Sequence, residues 1–236
     1  MYLAGKPCAL AAMKDSLVIY DLSAPSTPRL LGALSIPGVR GVTTLEGKVV
    51  AFGREGFVQI VGTDAATLST AAAAGPSVLD AVVGRGVLYA AEHESLRAYS
   101  PALRPGAAVE LVGSTCLALV ANTLVAGGPS GIELFDVSDP QRPRRRNGKL
   151  ALNTQRLVVP PDMGGRAVLA VSSEGQAWLI NLLSEEPSLL VTYPRPPWFA
   201  SSGRLPGLLV RIGADRRSIV VSALGPSFQT GGAPPA

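Results

Sequence analysis

The chain has one histidine and two cysteines among 236 residues, and each scarcity excludes something. With His93 as the only imidazole, a Ser-His-Asp constellation has one possible base, and no G-x-S-x-G elbow accompanies it. Cys8 and Cys116 are too few for a disulfide scaffold or a zinc site. Both sit in apolar runs, "PCALAA" and "STCLALV", and are expected to be buried thiols. No window approaches the ~18 uninterrupted apolar residues of a spanning helix. There is no Walker loop and no dinucleotide fingerprint, because the glycines of "GGPSGIELFD" open a strand, not a helix. No cofactor and no metal is expected. Aromatics make up only 5%, so the expected core is Val, Leu, Ile and Ala. Charged residues make up 16%, and the net charge of +4 bears on solubility more than on nucleic acid.

The N-terminal "MYLAGKPCALAAMKDS" has neither a basic n-region nor a long apolar h-region, and "LAGKPC" is no lipobox. The expectation is a cytoplasmic protein if the chain starts at Met1, or an exported one whose leader has been removed.

What the chain does have is apolar residues (47%), 26 glycines and 20 prolines, a globular composition with many turns and little room for helices. It also repeats itself. "SLVIYDLSAPSTP" at 16–28 returns as "GIELFDVSDPQRP" at 131–143. Segments of the same kind start at Leu17, Val58, Leu96, Ile132, Ala177 and Ser218, at steps of 41, 38, 36, 45 and 41 residues. Six copies at about forty residues each is a propeller-like period. Each copy runs in the same order: apolar run, short turn, second apolar run, polar hairpin, anchor segment, Pro- or Ser-rich loop, closing run. The runs are short, β-branched-rich and bounded by Gly and Pro, which are strand and turn signals. The expected fold is all-β: a propeller of about six four-stranded antiparallel blades, residues 1–230, with a frayed tail at 231–236. Stacked blades bury both faces of each sheet, so the middle strands read as continuous Val, Leu and Ala.

The motif D-[LV]-S-[AD]-P-x-x-P, at Asp21–Pro28 and Asp136–Pro143, resembles the LVIVD repeat of bacterial β-propellers. The other four copies keep the strand and lose the motif, as in "GTDAATL" and "NLLSEEP". The motif has a structural role, since Asp and Ser side chains bond backbone amides two residues on and the prolines preset the loop. The resemblance implies a non-catalytic binding or scaffold module. The alternative is an enzyme, hydrolase-like, with its site assembled at the mouth of the channel. In the first copy "MYLAG" is the candidate innermost strand, and in the last "PSFQT" is the candidate outer one, or pairs beside the first blade. Cys8 then falls in blade one and Cys116 in blade four, on opposite sides of the axis. A disulfide needs Cα atoms within about 7 Å, so two thiols are expected.

In a propeller, loops before the first strand share a face with hairpins between the second and third. That face would carry Arg40, Arg54, Glu55, His93, Gln155, Arg156, Trp198, Arg216 and Arg217. Loops on rigid scaffolds commonly carry binding. The expected partner is another protein or a small ligand. His93 sits in "AAEHES", where Glu92 and Glu94 would share one strand face and His93 oppose it, so a solvated hairpin is expected there. Asp80 and Asp162 read as turn or cap residues. The densest charge is "RPRRRNGK": Arg142, Arg144, Arg145, Arg146 and Lys149 hold five of the chain's 21 positive charges. A patch for a polyanion is one reading. The favoured reading is an outer edge strand that positive charge makes unattractive to other strands. Exposed positions of that kind would tolerate serine with little loss of stability.

Overall fold

The computed structural model describes residues 2–3, 6–24, 26–61, 69–73, 75–160, 165–192, 198–201, 208–212 and 219–223. Among them there is no helix, and the strands form six antiparallel sheets, five of four strands and one of three. Each sheet is a meander whose strands pair in chain order. The first holds β1 (Tyr2–Leu3), β2 (Lys6–Met13), β3 (Ser16–Asp21) and β4 (Arg29–Ser35). The second holds β5 (Val39–Leu45), β6 (Lys48–Gly53), β7 (Gly56–Val61) and β8 (Ser69–Ala73). The third holds β9 (Val78–Gly84), β10 (Val87–Glu92), β11 (Ser95–Tyr99) and β12 (Pro105–Glu110). The fourth holds β13 (Cys116–Val120), β14 (Thr123–Gly128), β15 (Gly131–Asp136) and β16 (Arg144–Leu150). The fifth holds β17 (Arg156–Val158), β18 (Ala167–Val171), β19 (Gln176–Asn181) and β20 (Pro187–Thr192). The sixth holds β21 (Trp198–Ser201), β22 (Leu208–Ile212) and β23 (Ile219–Ala223). "PSFQT" and the 231–236 tail lie outside the described residues.

Tight turns close the first hairpins. Glu46 (φ 48°) with Gly47 (φ 75°), and Arg85 (φ 51°) with Gly86 (φ 72°), take the left-handed conformations of a two-residue I′ turn.

Two compact units divide the chain, residues 1–113 with 139–144, and residues 114–138 with 145–236. Within the first, successive sheets pack face to face. Leu17 of β3 meets Val49 and Ala51 of β6. The alternate residues of β6, Val50 and Phe52, meet Leu88 and Ala90 of β10. A strand alternates its side chains, so β6 serves two interfaces at once. In the second unit Val125, Ile132 and Leu134 of the fourth sheet pack on Val168, Ala170 and Ile180 of the fifth. Burial on both faces explains the unbroken apolar runs of β10, β14 and β18, whose residues are all buried.

The core is mainly Val, Leu, Ile and Ala, as expected, with a few aromatics among them. Its largest fully buried side chains are Tyr89, Phe57 and Phe135, and Phe57 meets Tyr99 edge to face at 4.8 Å between centroids. Phe57 and Tyr99 lie where the second and third sheets meet. Cys8 and Cys116 are buried thiols with no disulfide, and Cys116 Sγ donates to the Gly127 carbonyl at 3.2 Å.

The repeated motif forms a repeated bond set. Asp21 Oδ1 accepts the Ser23 N–H at 2.7 Å, and Asp136 Oδ1 accepts that of Ser138 at 2.8 Å. Asn181 Oδ1 accepts the Leu183 N–H at 2.9 Å, so the fifth copy keeps the turn without the motif. The residues between, Leu22, Val137 and Leu182, donate their N–H groups to the carbonyls of Pro7, Asn122 and Arg166 at 2.8, 2.9 and 2.8 Å. In each of these sheets the turn thus ties the end of the third strand to the start of the second or the residue just before it.

Candidate binding face

A meander alternates its connections between two ends of the sheet. In the second sheet the β5–β6 turn, Glu46–Gly47, lies at one end, and the approach to β5 and the β6–β7 hairpin at the other. The Arg54 N–H donates to the Gly38 carbonyl at 3.0 Å, joining hairpin to approach. The β2–β3 hairpin is tied in as well. Asp15 Oδ1 accepts the Gly38 N–H at 3.0 Å, and the Asp15 carbonyl accepts that of Ile36 at 2.9 Å. The third sheet repeats the second of these bonds, Leu111 N–H to the Glu94 carbonyl at 2.9 Å.

Glycine permits the close approach in the second sheet. Gly38 has φ +66°, and a Cβ there would lie 2.8 Å from Arg54 Cβ. A Cβ on Gly53 would collide with the Gly38 carbonyl oxygen. Arg40 follows directly. Val39 pairs with Gly53 and Gly41 with Phe52, so Arg40 is the extra residue of a β-bulge. A bulge re-aims the side chain it carries. Arg40, Arg54 and Glu55 are all exposed.

His93 and Glu94 form the β10–β11 hairpin and are exposed, but Glu92 is not. It ends β10 at a register shift against β9, is 5% exposed, and does not share a solvated face with Glu94. Its carboxylate takes three partners from β11. Ser95 Oγ donates to Oε2 at 2.6 Å, Tyr99 Oη to Oε1 at 2.6 Å, and Arg97 Nε to Oε1 and Oε2 at 3.0 and 3.3 Å. Burial holds the Tyr99 phenol well above its ordinary range, and the hydrogen bond to Glu92 pushes the same way. Ser95, Arg97 and Tyr99 follow at every second residue, and all face Glu92 across the hairpin. That alternation was the available signal, hidden because "EHES" reads as a polar turn.

In the second unit Gln155 and Arg156 are exposed where the chain enters β17, and the Gln155 N–H donates to the Val171 carbonyl at 2.8 Å. Trp198 opens β21. Arg216 and Arg217 lie outside the described residues, as does Asp162. Asp80 is not a turn residue. It lies within β9, half-buried, and its Oδ1 accepts the Ala81 N–H at 2.9 Å. Among the described residues no three His, Cys, Asp or Glu groups converge to hold a metal, and no helix is long and apolar enough to cross a membrane.

The basic run occupies the outermost strand of the fourth sheet, with Arg142 in the loop before it. It is not only a solvated edge. Glu133 of β15, its side chain 7% exposed, has Arg145 Nε 3.0 Å from Oε2 and Lys149 Nζ 3.2 Å from Oε1. Among the described residues Oε2 accepts no hydrogen bond, and Arg145 meets it as an ion pair. The Arg145 guanidinium also lies 5.9 Å from the centre of the Phe135 ring. Arg146 lies 3.8 Å from Glu185. Arg142 and Arg144 are exposed. Sequence reasoning missed Glu133, although a lone carboxylate in the apolar strand "GIELF" demands a counter-charge.

No family model matches the chain, and no curated protein sequence does. Solved structures do match. Hsv2 of Kluyveromyces lactis, a β-propeller protein, is similar at a TM-score of 0.57 and 9% identity, over 95% of this chain and 73% of Hsv2. A functionally unknown protein from Desulfotomaculum acetoxidans DSM 771 is similar at 0.65 and 14% identity, over 92% of this chain and 78% of that one. The fold is all-β and propeller-like. At these identities the likeness is one of fold.

Proposed function

We propose that the chain is a non-catalytic binding or scaffold module, a β-propeller of the LVIVD-repeat type whose six sheets are its blades, engaging a protein or small ligand through one loop face. The observation that carries this reading is the division of its polar groups. The buried carboxylates Glu92 and Glu133 are neutralised by basic side chains of their own sheets. Arg40, Arg54, Glu55 and His93 stand exposed at the loop ends of theirs. Buried charges met inside their own sheet serve architecture, and exposed polar side chains on short, bonded loops serve recognition. The two copies of the D-[LV]-S-[AD]-P-x-x-P motif support the family reading, and the likeness to Hsv2 supports the propeller.

Site-specific photo-cross-linking tests the proposal. A photoreactive residue is placed at Arg54 or His93, on the loop ends, and in a control at Glu46, on the opposite end of the second sheet. Discrete adducts from Arg54 and His93 but not from Glu46 are expected. Equal labelling from all three positions would remove the assigned face. Turnover of ester, phosphoester or glycoside substrates would favour the enzyme reading instead.

A further inference from the structure

The geometry points to a carboxylate-recognition site at the loop end of the second sheet, formed by Arg40 and Arg54 and fitted to an acidic side chain of a protein partner. The inference rests on the loop-face reading above and gives that face a partner chemistry. The two backbones are held one strand pair apart: Val39 pairs with Gly53, Arg40 follows the first and Arg54 the second. The bulge turns Arg40 out of the ladder, and Arg54 opens the hairpin. The bonds from Arg54 to Gly38 and from Gly38 to Asp15 hold the segment just before Arg40 against the hairpin. Two long side chains therefore start from a stiff base, which lowers the entropy lost when they close on a ligand.

Among the described residues, neither arginine side chain has an ion pair or hydrogen bond, whereas Arg97, Arg145, Arg146 and Lys149 each meet a carboxylate. A guanidinium is a planar fork that matches a carboxylate in two parallel bonds. The charge balance selects among anions. Glu55 stands beside Arg54 and the Asp15 carboxylate is bonded at Gly38, so two positive and two negative side chains leave no net charge to meet a dianion. That suits a monoanionic carboxylate better than a dianionic phosphate. It also leaves Glu55 to pair with a basic residue of the same partner segment. One exposed ion pair contributes little alone, so an isolated peptide binds weakly and the rest of the partner interface supplies the remainder.

Arginine side-chain NMR on the full chain reads the site. The Nε–Hε signals of Arg40 and Arg54 are followed during titration with tetraglutamate peptide and, separately, with inorganic phosphate. Both signals are expected to shift together and to saturate at a concentration at least threefold lower for tetraglutamate. Arg54→Gln should weaken the peptide at least fivefold, and so should Arg40→Lys, which keeps the charge but loses the fork. Arg144→Gln should leave it unchanged. Absence of a saturating shift, tighter binding of phosphate, or an unchanged affinity in Arg54→Gln overturns the proposal. Still arginine signals alongside continued cross-linking from Arg54 and His93 would end the carboxylate site while the loop face stood. Saturating shifts without cross-linking would do the reverse.

Discussion

Tyr99 Oη donates to Glu92 Oε1 at 2.6 Å, along a face of the third sheet where Ala90 is the small residue between them. The phenol lies between Phe57 of the second sheet and a carboxylate that is 5% exposed. Tyr99→Phe deletes the donor and leaves Glu92 with Ser95 and Arg97, which should cost about 1–2 kcal/mol. Glu92→Gln should cost at least as much, since it leaves Arg97 without its counter-charge. The double variant should be less destabilised than the sum, with a coupling of about 1 kcal/mol. Urea unfolding of the four proteins measures it, and strict additivity would show that the bond contributes nothing.

The same phenol makes stability depend on alkaline pH. Burial raises Tyr99 above the ordinary value of 10.0, the hydrogen bond and charge of Glu92 add to this, and Arg97 opposes it. Tyr89 is raised from 10.0 by burial, with Arg85 lowering and Asp139 raising it. A pKa raised in the folded state means that the unfolded chain loses the proton first. The contribution is full below pH 10.0 and declines as pH rises toward the folded values. Each tyrosine should remove up to about 1.4 kcal/mol per pH unit there. Urea midpoints between pH 9 and 11.5 should fall, and fall less steeply in Tyr99→Phe. A flat profile would contradict the burial of both phenols.

Glu133 predicts an asymmetry between the two sides of one ion cluster. Arg145 and Lys149 are 43% and 41% exposed, so after Glu133→Gln they swing into water at small cost. Arg145→Ser with Lys149→Ser instead strands a carboxylate that is 7% exposed. An uncompensated buried charge is expensive, and with this partial exposure the loss should be about 1–3 kcal/mol. Arg144→Ser should stay within about 0.5 kcal/mol. Thermal and urea unfolding compare them. If the double serine variant matched Arg144→Ser, the whole run would be a solvated edge after all.

How much of this was legible depended on which physical rule each residue obeyed. The strands were legible because burial on both faces leaves an unbroken apolar run, as at "VLYAA" and "TLVAG". Turns at Glu46–Gly47 and Arg85–Gly86 were legible because glycine marks a left-handed backbone. Glu92 was not, because its burial is decided by Ser95, Arg97 and Tyr99 converging across a hairpin, and composition alone made that hairpin polar. The arginine run was half legible. Its place at an edge follows from the repeat, but the pull of Glu133 on Arg145 and Lys149 requires the pairing of β15 with β16. Arg40 was named as a loop residue, yet nothing in "GVRGVTTL" announces a bulge.

The anchor turn shows where a motif misleads by being too strict. "NLLSEEP" lacks the aspartate, so it counts as a lost copy, yet Asn181 Oδ1 bonds the Leu183 amide as Asp21 does for Ser23. An asparagine carries the same oxygen at the same reach, and only the charge is missing. Asn181→Asp should therefore be near neutral, and Asn181→Ala should cost about 1 kcal/mol. Asp136→Ala should cost the most of the three anchors, because Asp136 Oδ1 also accepts from Ser138 Oγ at 2.6 Å. At this chain length 1 kcal/mol moves the melting temperature by roughly 2–4 °C, so the order Asp136→Ala, then Asp21→Ala and Asn181→Ala, then Asn181→Asp is resolvable by calorimetry. If Asn181→Ala melted with the unmodified chain, the fifth turn would be held by the Leu182–Arg166 backbone bond alone, and the side chain would be a bystander.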